Sequence, residues 1–151
     1  MNALETYREI TKKLASLGIG SASKEAELLV RQGLNISLTR IYNDNPEVSE
    51  DQAAALRDMV SRRAGREPLQ YILGSIDFLG LEITVGKGVL IPRPETELMA
   101  EQAIKAVSGQ LSTVNRQPST MLDLCTGSGC LALALAKAFP DAMVYGTDIS
   151  D

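Results

Sequence analysis

An apolar run, Met121-Leu-Asp-Leu124, leads into Cys125-Thr-Gly-Ser-Gly129. A helical stretch follows, and a second apolar run, Val144-Tyr-Gly-Thr147, ends on Asp148. Strand, glycine-punctuated loop, helix and strand in that order mark an α/β fold, and this is how such proteins hold an adenosine-containing cofactor. The glycines let the backbone approach the ligand, and the acid after the second strand accepts hydrogen bonds from ribose hydroxyls. The sequence closes at Asp151, three residues past that carboxylate. The chemistry the cofactor serves is therefore expected to be encoded further on.

Several function classes are disfavoured by composition. No apolar run approaches the ~20 residues that span a bilayer. The opening Met1-Asn-Ala-Leu-Glu-Thr-Tyr-Arg-Glu9 is amphipathic and lacks the layout of a signal peptide, so the expected location is cytoplasmic. Both cysteines, Cys125 and Cys130, fall in the glycine loop and its helix, which disfavours a disulfide or a metal site. Histidine is absent, removing the commonest general base and metal ligand. Residues 1–75 carry ten basic and ten acidic side chains, whereas residues 76–151 carry five and nine. The whole net charge of −4 thus sits in the second half. Acidity there argues against direct nucleic-acid binding.

The first 73 residues read as a helical bundle. Asn2 with Glu5 forms a capping-box pattern ahead of an apolar stripe, Leu4, Tyr7, Ile10, Leu14 and Leu17, with Gly18 placed to end the helix. A second helix is expected after Ser23 and up to Gly33, a short one over 38–42, and a fourth from the Ser49/Gln52 capping box to Gly65. From about Leu73 the period changes to two: Leu79, Leu81, Ile83 and Val85 alternate with Gly80, Glu82 and Thr84. That predicts a strand turning at Gly86-Lys-Gly88 and resuming at Val89-Leu-Ile91, a hairpin linker over 74–92. A helix is expected from Glu95 to about Val107, a polar connector over 108–119, then strand, helix and strand at 120–125, 129–138 and 142–148. A doubly wound sheet needs cover on both faces, so Leu122, Leu124, Val144 and Tyr145 are expected to stay exposed.

Two cofactors compete for the loop. Gly127-Ser-Gly-Cys-Leu-Ala132 fits a G-x-G-x-x-A dinucleotide fingerprint, and Asp148 lies at a suitable distance. Against this, Asp123 at the end of the preceding strand would repel a pyrophosphate. A carboxylate there suits a cofactor with a positive amino or sulfonium group and no phosphate, as in S-adenosylmethionine. The acid-then-glycines pattern resembles the first two motifs of the class I methyltransferases, in which a glycine usually stands at the position of Cys125.

Two further stretches sharpen the resemblance. Arg62-Arg-Ala-Gly-Arg-Glu-Pro-Leu-Gln-Tyr-Ile-Leu-Gly74 with Asp77-Phe-Leu-Gly80, and Val89-Leu-Ile-Pro-Arg-Pro-Glu-Thr-Glu97, resemble two motifs of the HemK/PrmC family. The resemblance covers the whole chain. It implies a helical substrate-recognition domain over 1–73, the hairpin linker, and over 93–151 the start of a Rossmann-like class I methyltransferase domain. It further implies S-adenosylmethionine-dependent methylation of the glutamine in the Gly-Gly-Gln motif of peptide chain release factors, the protein partner gripped by the bundle. The wording of Ile91–Glu97 favours that acceptor; the loop wording also occurs in the branch that modifies a ribosomal protein. For these 151 residues alone, a protein-binding helical module is a further reading.

By the family pattern, Cys125, Thr126, Gly127, Ser128 and Gly129 pass under the cofactor, and Asp148 binds its ribose. Asp123 lies near the amino group, while Arg93, Pro94, Glu95 and Thr96 line the near wall. The family's catalytic Asn-Pro-Pro-Tyr motif follows a later strand and does not occur in this sequence. The chain alone is therefore expected to be inactive.

Overall fold

In a computed structural model that describes residues 1–114 and 120–150, the chain divides into two compact units, Met1–Leu73 and Gly74–Asp151. The first is wholly helical. Helix α1 (Ala3–Ser16) opens on the capping box, in which Glu5 N–H donates to Asn2 Oδ1 at 2.9 Å and Asn2 N–H to Glu5 Oε2 at 3.0 Å. Helices α2 (Ala22–Leu34) and α3 (Leu38–Asn43) follow, and α4 (Glu50–Ala64) opens on the second box, Ser49 with Gln52. A short α5 (Leu69–Leu73) closes the unit. Leu14, Leu29, Val30, Ile41, Leu56 and Ile72 meet in one apolar core.

Two boundaries differ from the sequence reading. Helix α2 begins at Ala22 after Ser21; Ser23 lies inside it and shares a 2.7 Å hydrogen bond with the Tyr7 hydroxyl. Gly33 does not end the helix, which runs on to Leu34 and is closed by Asn35 in the left-handed conformation. Gly33 instead admits a neighbour. A Cβ built on it would lie 2.5 Å from Leu56 Cδ2.

The arginine-rich stretch at the end of α4 buckles the bundle together. Arg62 forks onto the Glu67 carboxylate at 2.9 and 2.7 Å, bracing the turn between α4 and α5. Arg63 reaches back to α2, donating to both Glu25 oxygens at 2.6 and 3.2 Å and to the Glu67 carbonyl. Arg66 donates to the Leu17 carbonyl at the end of α1. The Arg63–Glu25 pair is largely shielded, with side chains 17% and 11% exposed. The hydrogen bond from Arg63 holds the Glu25 carboxyl below its ordinary value despite the opposing effect of burial.

The second unit starts with an antiparallel hairpin, β1 (Ser75–Phe78) and β2 (Leu81–Thr84). The turn falls at Leu79-Gly80, not at Gly86–Gly88. Both residues have positive φ, 52° and 70°, the geometry of a two-residue type I′ turn, and Gly80 N–H donates to Asp77 Oδ1. Leu79 is thus a turn residue rather than the first of a strand face. The alternation holds from Leu81 onward, with Ile83 and Val85 buried. Residues 89–91 form no strand, and Leu90 is exposed.

Helix α6 (Pro94–Val114) starts on a proline whose missing N–H costs nothing in a first turn. It outruns the expected end at Val107. Residues 108–114 are helical rather than connector, and 115–119 lie outside the described residues. Next come β3 (Thr120–Leu124), α7 (Cys130–Ala138) and β4 (Met143–Thr147). The two strands are parallel, with Leu122 opposite Tyr145 and Asp123 opposite Gly146, which is the opening βαβ of a Rossmann-like sheet. Lys137 near the end of α7 donates to the Gly80 carbonyl at 3.2 Å and ties the hairpin turn to that helix.

Strand residues alternate between two faces. Asp123 and Met121 share the side of α7, because Asp123 accepts from the Ala132 N–H of that helix. Leu122 and Leu124 point the other way with Tyr145 and Met143, and all four are exposed, Leu124 at 70%. Val144 lies on the helix side and is half-buried, contrary to the expectation that it stays exposed.

Candidate cofactor site

The site is built at the C-terminal ends of β3 and β4, where open α/β sheets hold ligands. Leaving β3, the backbone turns sharply. Cys125, Gly127 and Gly129 all have positive φ, at 61°, 53° and 75°. Glycine adopts this region freely, whereas a cysteine there is strained by about 1–2 kcal/mol. Thr126 pins the turn to the neighbouring strand: its N–H donates to the Thr147 carbonyl at 3.0 Å. Its side chain rests against Gly146, where an added Cβ would lie 2.8 Å from Thr126 Oγ1. Only a residue without a side chain allows that approach.

Asp123 and Asp148 hold the loop from opposite sides. Asp123 is buried, and its Oδ2 accepts from Thr126 Oγ1 at 2.7 Å and from Ala132 N–H at 3.2 Å. Ala132 is the third residue of α7, so this carboxylate caps the helix from within the sheet. Asp148 is exposed, and its Oδ2 accepts from Gly127 N–H at 2.9 Å while Oδ1 accepts from Ser150 N–H at 3.0 Å. These backbone donors, Ser150 first and then Gly127, hold its carboxyl below the ordinary aspartate value. The Ile149 backbone and the Ser150 side chain add to the donors around this carboxylate.

Hydrogen bonds thus bring Asp123, Thr126, Gly127 and Asp148 together. Cys125, Ser128 and Gly129 belong to the same loop by chain connectivity, with Cys125 exposed. Arg93, Pro94, Glu95 and Thr96 form the approach to α6, where Thr96 N–H donates to the Arg93 carbonyl at 2.8 Å. Among the described residues, no hydrogen bond joins these four to the glycine loop. The sequence reading did not single out Gly146, Thr147 or the Ala132 amide. A glycine inside a strand was the available signal for Gly146.

Comparison with known proteins agrees with this layout. Residues 5–74 match the family described as PrmC N-terminal domain. Over 151 residues, the whole of this chain and 51% of the relative, it is 42% identical to a release factor glutamine methyltransferase of Thermodesulfovibrio yellowstonii. The helical unit thus matches the PrmC N-terminal domain family, and the whole chain is similar to one part of a release factor glutamine methyltransferase. A protein of the same name from Geobacter sulfurreducens is 40% identical over 91% of the chain and 46% of its own length. A bifunctional methyltransferase of Rickettsia felis is 33% identical over 97% of the chain and 32% of its own. The chain spans about half the length of the release factor methyltransferases it matches. Among the described residues, no helix is long and apolar enough to cross a membrane.

One amide at the start of α7 is not available to a phosphate. A pyrophosphate needs bare N–H groups at a helix N-terminus. At α7 the Ala132 N–H is already taken by a carboxylate, whose charge would also repel phosphate.

Proposed function

We propose that this chain is the protein-recognition and first cofactor-binding part of an S-adenosylmethionine-dependent methyltransferase. Its target is the side-chain amide of the glutamine in the Gly-Gly-Gln motif of peptide chain release factors, and it works in the cytoplasm. The observation that carries the reading is the pairing of Gly127 N–H with Asp148 over a helix already capped by Asp123. The names and whole-chain similarity of the relatives support the acceptor.

When bound, the cofactor supplies a methyl group on a cationic sulfur. The residues of this chain position and select. Asp148, exposed after β4, accepts from the ribose hydroxyls, and the Cys125–Gly129 backbone forms the floor. Asp123, whose Oδ1 has no hydrogen-bond partner among the described residues, lends negative charge toward the amino group. Arg93 to Thr96 form the near wall. An amide nitrogen is a weak nucleophile because its lone pair is delocalised, so it has to be aligned and relieved of a proton as the bond forms. No Asn-Pro-Pro-Tyr occurs in these residues to accept that proton. The 151-residue chain alone accordingly binds cofactor weakly and transfers no methyl group.

Residues 1–73 form the substrate-recognition domain, 74–92 the linker, and 93–151 the start of the methyltransferase domain. An apolar groove of about 540 Å³ between α1 and α4, floored by Ile10, Leu56 and Val60 and rimmed by Glu9, Lys13 and Arg57, gives the release factor a surface to dock on. Calorimetry tests the cofactor assignment on a fusion of residues 1–150 to the C-terminal half of the Thermodesulfovibrio yellowstonii relative. S-adenosylmethionine should bind and NAD should not; the reverse order of affinity would overturn the reading.

A further inference from the structure

Asp123 and Gly146 stand opposite each other in the parallel pairing of β3 and β4, so their side-chain positions fall on one face of the sheet, the face that α7 covers. Glycine leaves the second of those positions empty, and Thr126 fills it from the loop that follows β3. A Cβ added at Gly146 would lie 2.8 Å from Thr126 Oγ1 and 3.2 Å from both its Cβ and its Cγ2. The threonine backbone is anchored as well. Its N–H donates to the Thr147 carbonyl at 3.0 Å, and its carbonyl accepts from Gly129 N–H at 2.9 Å. With main chain and side chain both held, the hydroxyl donates to Asp123 Oδ2 at 2.7 Å.

That bond orients the buried carboxylate. Asp123 Oδ2 receives two donors from different elements, the Thr126 hydroxyl and the Ala132 N–H. Because both meet the same oxygen, the side chain is held about its torsions. Oδ1, which has no hydrogen-bond partner among the described residues, is the oxygen left to meet a ligand. The two donors are not equal. At 2.7 Å the hydroxyl bond has the length of a charge-assisted one, whereas the Ala132 bond, at 3.2 Å, is at the long end for an amide. The Ala132 amide points where α7 directs it. Thr126 supplies the donor that a single side-chain substitution can remove.

We infer that Thr126 is a positioning residue of the cofactor site, acting through Asp123, and that its hydroxyl determines how strongly the site prefers an adenosine ligand that carries an amino group. Gly146 belongs to the same device, since it vacates the place in which the threonine sits. The inference rests on the cofactor reading above and asks more of the loop. A backbone that only passes under the ligand would accept any small residue at 126, whereas this geometry requires a hydroxyl. Valine has the shape of threonine and keeps both backbone bonds, yet it should not serve. Serine should.

Two ligands separate this role from a structural one. S-adenosylhomocysteine carries the amino group, whereas methylthioadenosine keeps the adenosine and the thioether but lacks the amino-acid tail. Calorimetry compares them on the fusion of residues 1–150 to the C-terminal half of the Thermodesulfovibrio yellowstonii relative. Thr126→Val should bind the first about tenfold more weakly, for the loss of one charge-assisted bond, and the second as before. Thr126→Ser should restore the preference, and Asp123→Asn should abolish it. In the 151-residue chain itself, Thr126→Val should speed hydrogen exchange at the Ala132 amide, and serine should slow it again. Unchanged exchange overturns the inference. So does an equal loss for both ligands, the mark of a collapsed loop. A valine variant that keeps the preference while Asp123→Asn loses it overturns the inference and leaves the cofactor reading standing. An unsubstituted fusion that binds neither ligand, or both alike, overturns that reading and the inference with it.

Discussion

Gly127 N–H donates to Asp148 Oδ2 at 2.9 Å, joining the glycine loop after β3 to the end of β4. The bond makes the two halves of the cofactor motif one object, since the acid that would receive the ribose also fixes the loop beneath it. Because backbone donors stabilise the charged form, the Asp148 carboxyl titrates below its ordinary value of 3.8. The contribution is present above that value and is lost as pH falls through the lower, folded one. In an acid titration followed by NMR, the Gly127 amide shift should therefore move with a midpoint below 3.8. A midpoint at or above 3.8 would mean the bond is absent in solution.

In the fusion with the C-terminal half, Asp148→Ala should weaken S-adenosylmethionine binding at least about tenfold, because it removes charged acceptors for two hydroxyls. Calorimetry would read this directly, and an unchanged affinity would remove Asp148 from the site.

Arg63→Met breaks the Glu25 pair while keeping much of the side chain's bulk. Uncoupling one member of a shielded ion pair leaves a carboxylate without its partner, at a cost of about 3 kcal/mol. The pH dependence should also change sign. In the native chain the Glu25 carboxyl is depressed, so its contribution is present above the ordinary value of 4.5 and fades as pH falls through the folded value. Without Arg63, burial opposes only the weaker lowering effect of the Ser21 hydrogen bond and raises the carboxyl, so stability gained at low pH is lost as pH rises. Urea unfolding of the bundle at several pH values distinguishes the two slopes.

The capping boxes at Asn2 and Ser49 and the stripes behind them were legible because the signal is local, a side chain and an amide three residues apart. The Leu79-Gly80 turn was not. Leu79 matches the apolar phase of Leu81 and Ile83, and a leucine with positive φ breaks the rule that turns announce themselves with glycine or asparagine. Gly33 misled for a related reason. Its role is to let Leu56 approach across the bundle, a contact between residues far apart in sequence. At the site, the loop and Asp148 could be read directly, while the inward cap from Asp123 to Ala132 and the seat of Thr126 on Gly146 depend on how strands and helix pack.

That packing predicts opposite effects for two loop substitutions. Cys125→Gly relieves strain of about 1–2 kcal/mol and adds about 0.5–1 kcal/mol of unfolded-state entropy, so a small net stabilisation is expected. Gly146→Ala drives a methyl group into Thr126 and should destabilise by about 1–3 kcal/mol. Thermal unfolding of the fusion protein should separate the pair; the same sign for both would show that the loop does not have this geometry.

The most direct measurement is transfer of a tritiated methyl group to a peptide chain release factor, with the modified residue located by mass spectrometry. The fusion of residues 1–150 to the C-terminal half of the relative should methylate the glutamine of Gly-Gly-Gln, and the 151-residue chain should leave it unlabelled. Turnover by the chain alone, or a folded fusion that binds cofactor yet labels a ribosomal protein and not the release factor, would contradict the account.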